Sequence, residues 1–161
     1  MSSKAKGTPA TVAAGRAGIA YTLHPYEVGP GGESYGEAVA DALGVPRERL
    51  FKTLLAEVDG RLTVGVVPVS ASLDLKALAG AAGGKRAKMA DPQVAERATG
   101  YVVGGISPLG QRRRLPTIVD ESASGFATVY VSAGRRGLQI ELSPADLIRL
   151  TGAAVAAVAR V

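Results

Sequence analysis

The chain has 161 residues, 47% of them apolar, and contains no cysteine and a single histidine, His24. That composition excludes disulfides, thiolate metal ligands, a cysteine nucleophile and a histidine-rich metal site, and it leaves any Ser-His-Asp triad dependent on His24 alone. A formal charge of +5 and a pI near 9.7 give a modest footprint for a polyanion, and no apolar run of about 18 residues follows the basic start, so the sequence reads as cytoplasmic with no membrane segment.

Residues 1–7 read as a frayed tail and residues 8–161 as one domain. Thr8-Pro9 predicts an N-cap with proline in the first helical position and a helix ending near Gly18. Tyr21–Tyr26 alternates as a strand, with Tyr26 on the polar face either as a ligand contact or as packing. Gly29–Gly32 reads as a turn, and Ser34 with Glu37 as a capping box for a helix to Leu43. Leu50–Val58 and Arg61–Pro68 flank Asp59-Gly60 as a hairpin. Ser72 is expected to cap a helix closed by Gly83-Gly84, Lys85–Lys88 to form a short strand, and Asp91-Pro92 to start a helix ending near Gly100. Strands are expected at Leu115–Asp120 and Ala127–Ser132. Gly134–Gly137 should then turn the chain into Leu138–Leu142. Ser143-Pro144 opens a last helix to about Leu150, and Ala153–Val158 reads as one closing strand. About seven strands without regular βαβ alternation make the class mixed α+β.

Two stretches carry chemistry. Alternation along Leu50–Val58 puts Lys52 with Leu54, Ala56 and Val58, so an amine stands on an apolar face. It either lines a site or snorkels with its stem packed and its charge in water. Thr99–Gly110 clusters glycines around Pro108 and runs into Gln111-Arg112-Arg113-Arg114. Such a loop either presents backbone N–H groups to an anion or is a turn with a solvated basic run. Basic residues gather at Lys85, Arg86 and Lys88, at Arg112, Arg113 and Arg114, and at Arg135 and Arg136. Converging they would form an anion groove; scattered they are solvated loops.

Phe51-Lys52-Thr53-Leu54-Leu55, Ala90-Asp91-Pro92, the Gly100–Gly110 loop, Leu115-Pro116-Thr117-Ile118 and Gly137-Leu138 occur in an order that resembles the YbaK family of aminoacyl-tRNA deacylases. These are freestanding relatives of the editing domain of bacterial prolyl-tRNA synthetase. The resemblance implies a mostly antiparallel, curled sheet with short helices around it, no cofactor and no metal. It also implies removal of cysteine from mischarged tRNA(Pro), with the 3′ end of the tRNA as substrate and prolyl-tRNA synthetase as an expected partner. Residue by residue, it places Lys52, Gly104 and Gly105 in catalytic roles, the last two as amide donors within the GxxxP segment Gly104–Pro108. Tyr26, Tyr35, Ser107, Pro108, Ser132 and Gln139 fall on substrate-binding positions. Tyr35 stands where close relatives carry phenylalanine and Gln139 where they commonly carry aspartate, which removes a negative charge from beside the lysine. The family also implies that the cysteine thiol attacks its own ester. Two other readings share these residues: a non-catalytic module that binds aminoacyl-tRNA or a nucleotide, and the same scaffold acting on another amino acid such as alanine.

Overall fold

The computed structural model describes residues 7–29 and 35–161; the expected tail before Gly7, most of the Gly29–Gly32 turn and the Ser34 cap lie outside them. Helix α1 (Pro9–Ala17) starts where Thr8 Oγ1 accepts the Thr11 N–H at 3.1 Å and stops at Gly18, which is left-handed. Strand β1 (Tyr21–Pro25) follows, and then helix α2 (Tyr35–Leu43), which buries Val39 and Ala40. Strands β2 (Phe51–Val58) and β3 (Arg61–Pro68) form the expected hairpin, with Asp59 and Gly60 both at positive φ, as a tight hairpin turn requires.

Ser72 does not cap the next helix. Ser72–Leu73 is strand β4, and helix α3 (Leu75–Ala81) is capped by Asp74, whose carboxylate accepts the Ala77 N–H at 3.0 Å. The next strand also starts later than expected. The Asp59 carboxylate takes the N–H groups of Lys85 and Arg86 at 3.0 Å each, so strand β5 is Ala87–Met89. Helix α4 (Pro92–Thr99) has its Asp91 cap and its Gly100 stop. Strand β6 (Thr117–Asp120) begins two residues beyond Leu115.

Strand β7 (Val129–Arg135) runs past Ser132 and contains a bulge between Ser132 and Arg135, so Gly134 belongs to the strand and the turn into β8 (Leu138–Leu142) shrinks to Arg136-Gly137. Helix α5 (Pro144–Thr151) is capped by Ser143. The single closing strand is in fact two, β9 (Ala154–Ala156) and β10 (Ala159–Arg160), because the buried Asp120 carboxylate draws in the N–H groups of Val158 and Ala159 at 2.9 Å each and bends the chain there.

The ten strands of the described residues form three sheets, ordered β1-β8-β7, β5-β2-β3-β6-β9 and β10-β4. All pairings are antiparallel except β3–β6 and β6–β9. The class is mixed α+β, as the sequence implies, with more strands than the seven expected because several are only two or three residues long. An isolated parallel bridge, Leu50 to Tyr130, joins the two larger sheets at one end of β2. Phe51, Leu55, Val64, Val131 and Ile140 pack between these sheets with α1 and α4 residues. On the other face of β2, α2 covers Leu50, Val69 and Tyr130, while Leu78 and Ala79 of α3 cover Ala56, Val58 and Val67. Lys52 emerges between these two apolar clusters.

Candidate active site

A cavity of about 360 Å³ opens where β7 leaves β2 beyond the Leu50–Tyr130 bridge. Its walls come from Tyr35, Gly36 and Val39 of α2, from Leu50–Leu55, from Met89 to Pro92, and from Val103, Gly104 and Ile106 of the glycine loop. Ser132 and Gln139 close it. The register explains why distant residues meet. Stepping two residues from the Leu50–Tyr130 bridge brings Lys52 and Ser132 to the same face, and Ser132 pairs with Gln139 across β7 and β8.

Lys52 is half-buried, with no carboxylate within 4.0 Å among the described residues. Burial lowers its pKa from the ordinary lysine value, and the negative charge of Glu37 opposes that shift. Glu37 is itself held by Arg47 at 3.0 Å. An amine so placed is poorly solvated and lacks a direct counter-ion, so it is available to a ligand carrying negative charge.

The glycine loop is fixed from below. Tyr101 is buried and donates to the Leu109 carbonyl at 2.5 Å, while Glu96 accepts the Val103 N–H at 2.8 Å. The two glycines expected as donors differ in what they offer. Gly105 N–H donates to the Val102 carbonyl at 2.9 Å, whereas Gly104 N–H donates to none of the described residues. Gly104 lines the cavity with φ +92. Gly105 does not line it, and a Cβ there would meet the Arg135 Cα at 2.8 Å.

Tyr35 forms a wall whose ring lies under the Arg136 guanidinium at 5.2 Å, and its hydroxyl bonds Tyr26 Oη at 2.9 Å. Burial, then the bond to Tyr26, pushes the Tyr35 pKa up to about 12 against the pull of Arg136, so it is a neutral phenol at physiological pH. Tyr26 stands behind Tyr35 in a separate open groove with Arg136 and Gly137. Ser107 is buried beneath the loop, its Oγ accepting the Leu109 N–H at 3.2 Å, and Pro108 lies on another flank with Gln111 and Arg113.

The basic groups do not converge. Arg136 stands at the mouth and donates to the Val103 carbonyl at 3.3 Å, with Arg135 beside it. Arg112 lies by Gly100, and Arg113 and Arg114 lie beside Leu115 and Thr151. Lys85 and Arg86 sit at the Asp59 turn and Lys88 stands opposite Glu57 in the strand register, about 17 Å along β2 from Lys52 at strand rise. The sequence reading missed Thr53, Met89 and Val103. Met89 and Val103 are 47% and 44% exposed, making an apolar rim; their positions depend on how β5 and the loop pack against β2, which no local pattern reveals. Among the described residues no three histidine, aspartate or glutamate side chains gather to hold a metal ion, and no helix is long and apolar enough to cross a membrane.

A small, largely apolar cavity with one amine, one free loop amide and a few neutral polar groups, set in a mixed α+β domain, has the chemistry of a site for small polar or anionic ligands. The chain belongs to the aminoacyl-tRNA editing domain family, whose pattern it matches over residues 30–150. It is 43% identical over 118 residues, 71% of each chain, to EbsC of Enterococcus faecalis, provisionally named a Cys-tRNA(Pro)/Cys-tRNA(Cys) deacylase. It is 29% identical over 114 residues to the proline--tRNA ligase of Moorella thermoacetica, covering 71% of this chain and 20% of the ligase. In fold it matches a crystal structure provisionally described as a trans-editing enzyme for prolyl tRNA synthetase, with a TM-score of 0.82 and 24% identity over 100% of this chain and 99% of the other.

Proposed function

We propose that this protein is a trans-editing deacylase that removes cysteine from mischarged tRNA(Pro). The observation that carries the reading is the convergence of Lys52, Gly104, Ser132 and Gln139 on one cavity of about 360 Å³, in a chain 43% identical to EbsC. Cysteine and proline differ by about one small group, which a synthetase pocket discriminates by only roughly 1–3 kcal/mol. A second site is the remedy.

The aminoacyl ester is already activated, and the protein needs mainly to orient it. The substrate thiol adds to the carbonyl carbon, a C–S bond forms and the ester C–O bond to the terminal ribose breaks. The thiol proton passes to the departing ribose oxygen, leaving free tRNA and a cyclic thioester that water opens. The Gly104 N–H donates to the oxyanion as it develops. Lys52 offsets the same charge or holds the terminal nucleotide, and Ser132 and Gln139 position the amino acid. Tyr35, braced by Tyr26, forms the wall, while Gly105, Ser107 and Pro108 act by shaping the loop. Arg136 and Arg135 meet the phosphates of the 3′ end at the mouth. The more distant Lys85, Arg86, Lys88, Arg112, Arg113 and Arg114 contribute only long-range attraction for the tRNA. Residues 8–161 work as one editing unit in the cytoplasm, with prolyl-tRNA synthetase as the partner that delivers the tRNA.

The test is release of labelled cysteine from Cys-tRNA(Pro), with Ala-tRNA(Pro) and Pro-tRNA(Pro) as controls and Lys52→Ala in parallel. Cysteine-selective release that collapses in the variant is expected. Release of alanine alone would make the substrate wrong. Salt-sensitive tRNA binding with no release of any amino acid would make the protein a binding module.

A further inference from the structure

Among the described residues, two buried side-chain oxygens lack any hydrogen-bond partner, Thr53 Oγ1 and Gln139 Oε1, and both residues line the same cavity. A buried polar atom left unpaired carries its full desolvation cost, and native structures keep few of them. Both oxygens are shielded from the cavity in this structure, and a rotation of each side chain turns them to a ligand seated there.

Thr53 offers more than its hydroxyl. The Leu55 carbonyl accepts the Ala90 N–H at 3.0 Å, on the side away from β3. Two residues earlier, the backbone N–H and C=O of Thr53 turn to that same side. Pro68, opposite Phe51 in the β2–β3 register, has no N–H to give, which fits Phe51, Thr53 and Leu55 all facing away from β3. Strand β5 pairs with β2 only at Ala56–Val58, and β7 meets the chain at Leu50. Between these two points no strand of the described residues is hydrogen-bonded to the edge of β2 at Thr53, although β7 runs close by.

No carboxylate lines the cavity among the described residues, so recognition of an amino acid there falls to neutral acceptors. Resting on the deacylase reading, we infer that Thr53 is a substrate-binding residue that sets amino-acid specificity. Its hydroxyl and edge backbone, with the Gln139 carboxamide oxygen, receive the N–H and S–H donors of a small aminoacyl ester. A cysteinyl ester brings a primary amine and a thiol. A prolyl ester has one N–H fewer and no S–H, so it leaves an acceptor unpaired. A site built to hydrogen-bond a substrate group rejects the analogue that lacks it, and correctly charged Pro-tRNA(Pro) is thereby spared.

The test compares wild type, Thr53→Val and Thr53→Ser for kcat/KM on Cys-tRNA(Pro) and Pro-tRNA(Pro) and for melting temperature. Valine keeps the shape and removes the hydroxyl. It should lower kcat/KM for the cysteinyl substrate by about tenfold or more, narrow the gap between the cysteinyl and prolyl substrates, and leave the melting temperature no lower than wild type. Serine should stay within about threefold of wild type. Activity of Thr53→Val within about twofold of wild type would overturn the inference, as would parallel losses of activity and melting temperature in both variants. Wild type that releases no cysteine in the same assay overturns the deacylase reading instead.

Discussion

Gly104 leaves the space that the Arg136 guanidinium fills: a Cβ built on Gly104 would stand 2.8 Å from Arg136 Cζ. The same guanidinium lies over the Tyr35 ring and bonds the Val103 carbonyl. One glycine therefore lets the loop, the β7–β8 turn and the start of α2 meet at the mouth of the cavity.

Gly104→Ala should lower deacylation by about 100-fold, because it moves the amide assigned to the oxyanion. At φ +92 an L side chain adds strain of roughly 1–2 kcal/mol, which urea unfolding would register. Removing the collision with Arg136→Ala in the same chain should recover part of the stability and little of the activity. A double-mutant cycle that instead shows full rescue of activity would make the side-chain clash, not the amide, the cause.

Lys52→Met should abolish turnover and raise stability at neutral pH. Burial holds the folded-state Lys52 pKa below the unfolded value, with Glu37 opposing. At pH values below the folded pKa the buried charge costs stability in wild type. As pH rises from the folded toward the unfolded pKa, the unfolded chain binds more protons and wild-type stability recovers. Melting curves of both proteins from pH 7 to about 10.5 should therefore show the gap narrowing as pH rises. A gap independent of pH would mean that lost desolvation is not the source.

What the sequence makes legible is what neighbours in the chain decide. Thr8-Pro9, Asp91-Pro92 and Ser143-Pro144 each start a helix because cap and first turn lie within four residues. Lys52 stands out because strand alternation needs only its own segment. The misplaced cap at Ser72 has a remote cause, since β10 recruits Ser72-Leu73 into a strand and passes the cap to Asp74. The meeting of Lys52 with Ser132 and Gln139 depends on the Leu50–Tyr130 bridge, which joins segments far apart in the chain. Thr53 was hidden for a related reason. Alternation puts it on the opposite face from Lys52, and only the lack of strand pairing at that edge of β2 among the described residues opens it to the cavity. The basic clusters are equally visible in sequence, yet packing leaves only Arg135 and Arg136 at the mouth.

Glu141→Gln should destabilise the β1-β8-β7 sheet by about 1 kcal/mol at pH 7. Thr128 donates to Glu141 Oε2 at 2.5 Å, His24 Nε2 lies 2.8 Å from Oε1, and Arg49 reaches Oε2 at 3.2 Å. The Thr128 bond first, then His24 and Arg49, hold the Glu141 pKa below its ordinary value against burial. A depressed carboxylate pKa contributes stability above the unfolded value and loses it as pH falls through the folded value. Urea unfolding should separate wild type from Glu141→Gln at pH 7 and bring them together in acid. Since Glu141 lies two residues from Gln139 on β8, the variant should also lower activity modestly at pH 7 without altering the preference for cysteine.

Asp120→Ala tests how the C-terminal segment is held. Asp120 is 5% exposed, and its carboxylate accepts from the N–H groups of Ser122, Val158 and Ala159. Burial works against its ionisation, but these donors outweigh it and lower its pKa. Removing a charged acceptor of this kind leaves buried N–H groups unpaired, at a cost of about 1.5–3 kcal/mol. The loss should be local first. Val158 N–H and Ala159 N–H should exchange with solvent faster, β10 should separate from Leu73 and Ser72, and the amides of β2 beside Lys52 should keep their protection. Deacylation at a temperature well below melting should then remain near wild type, because no cavity wall rests on β10. Equal loss of protection at Val158 and along β2 would show instead that Asp120 supports the whole sheet and not only the strand that follows it.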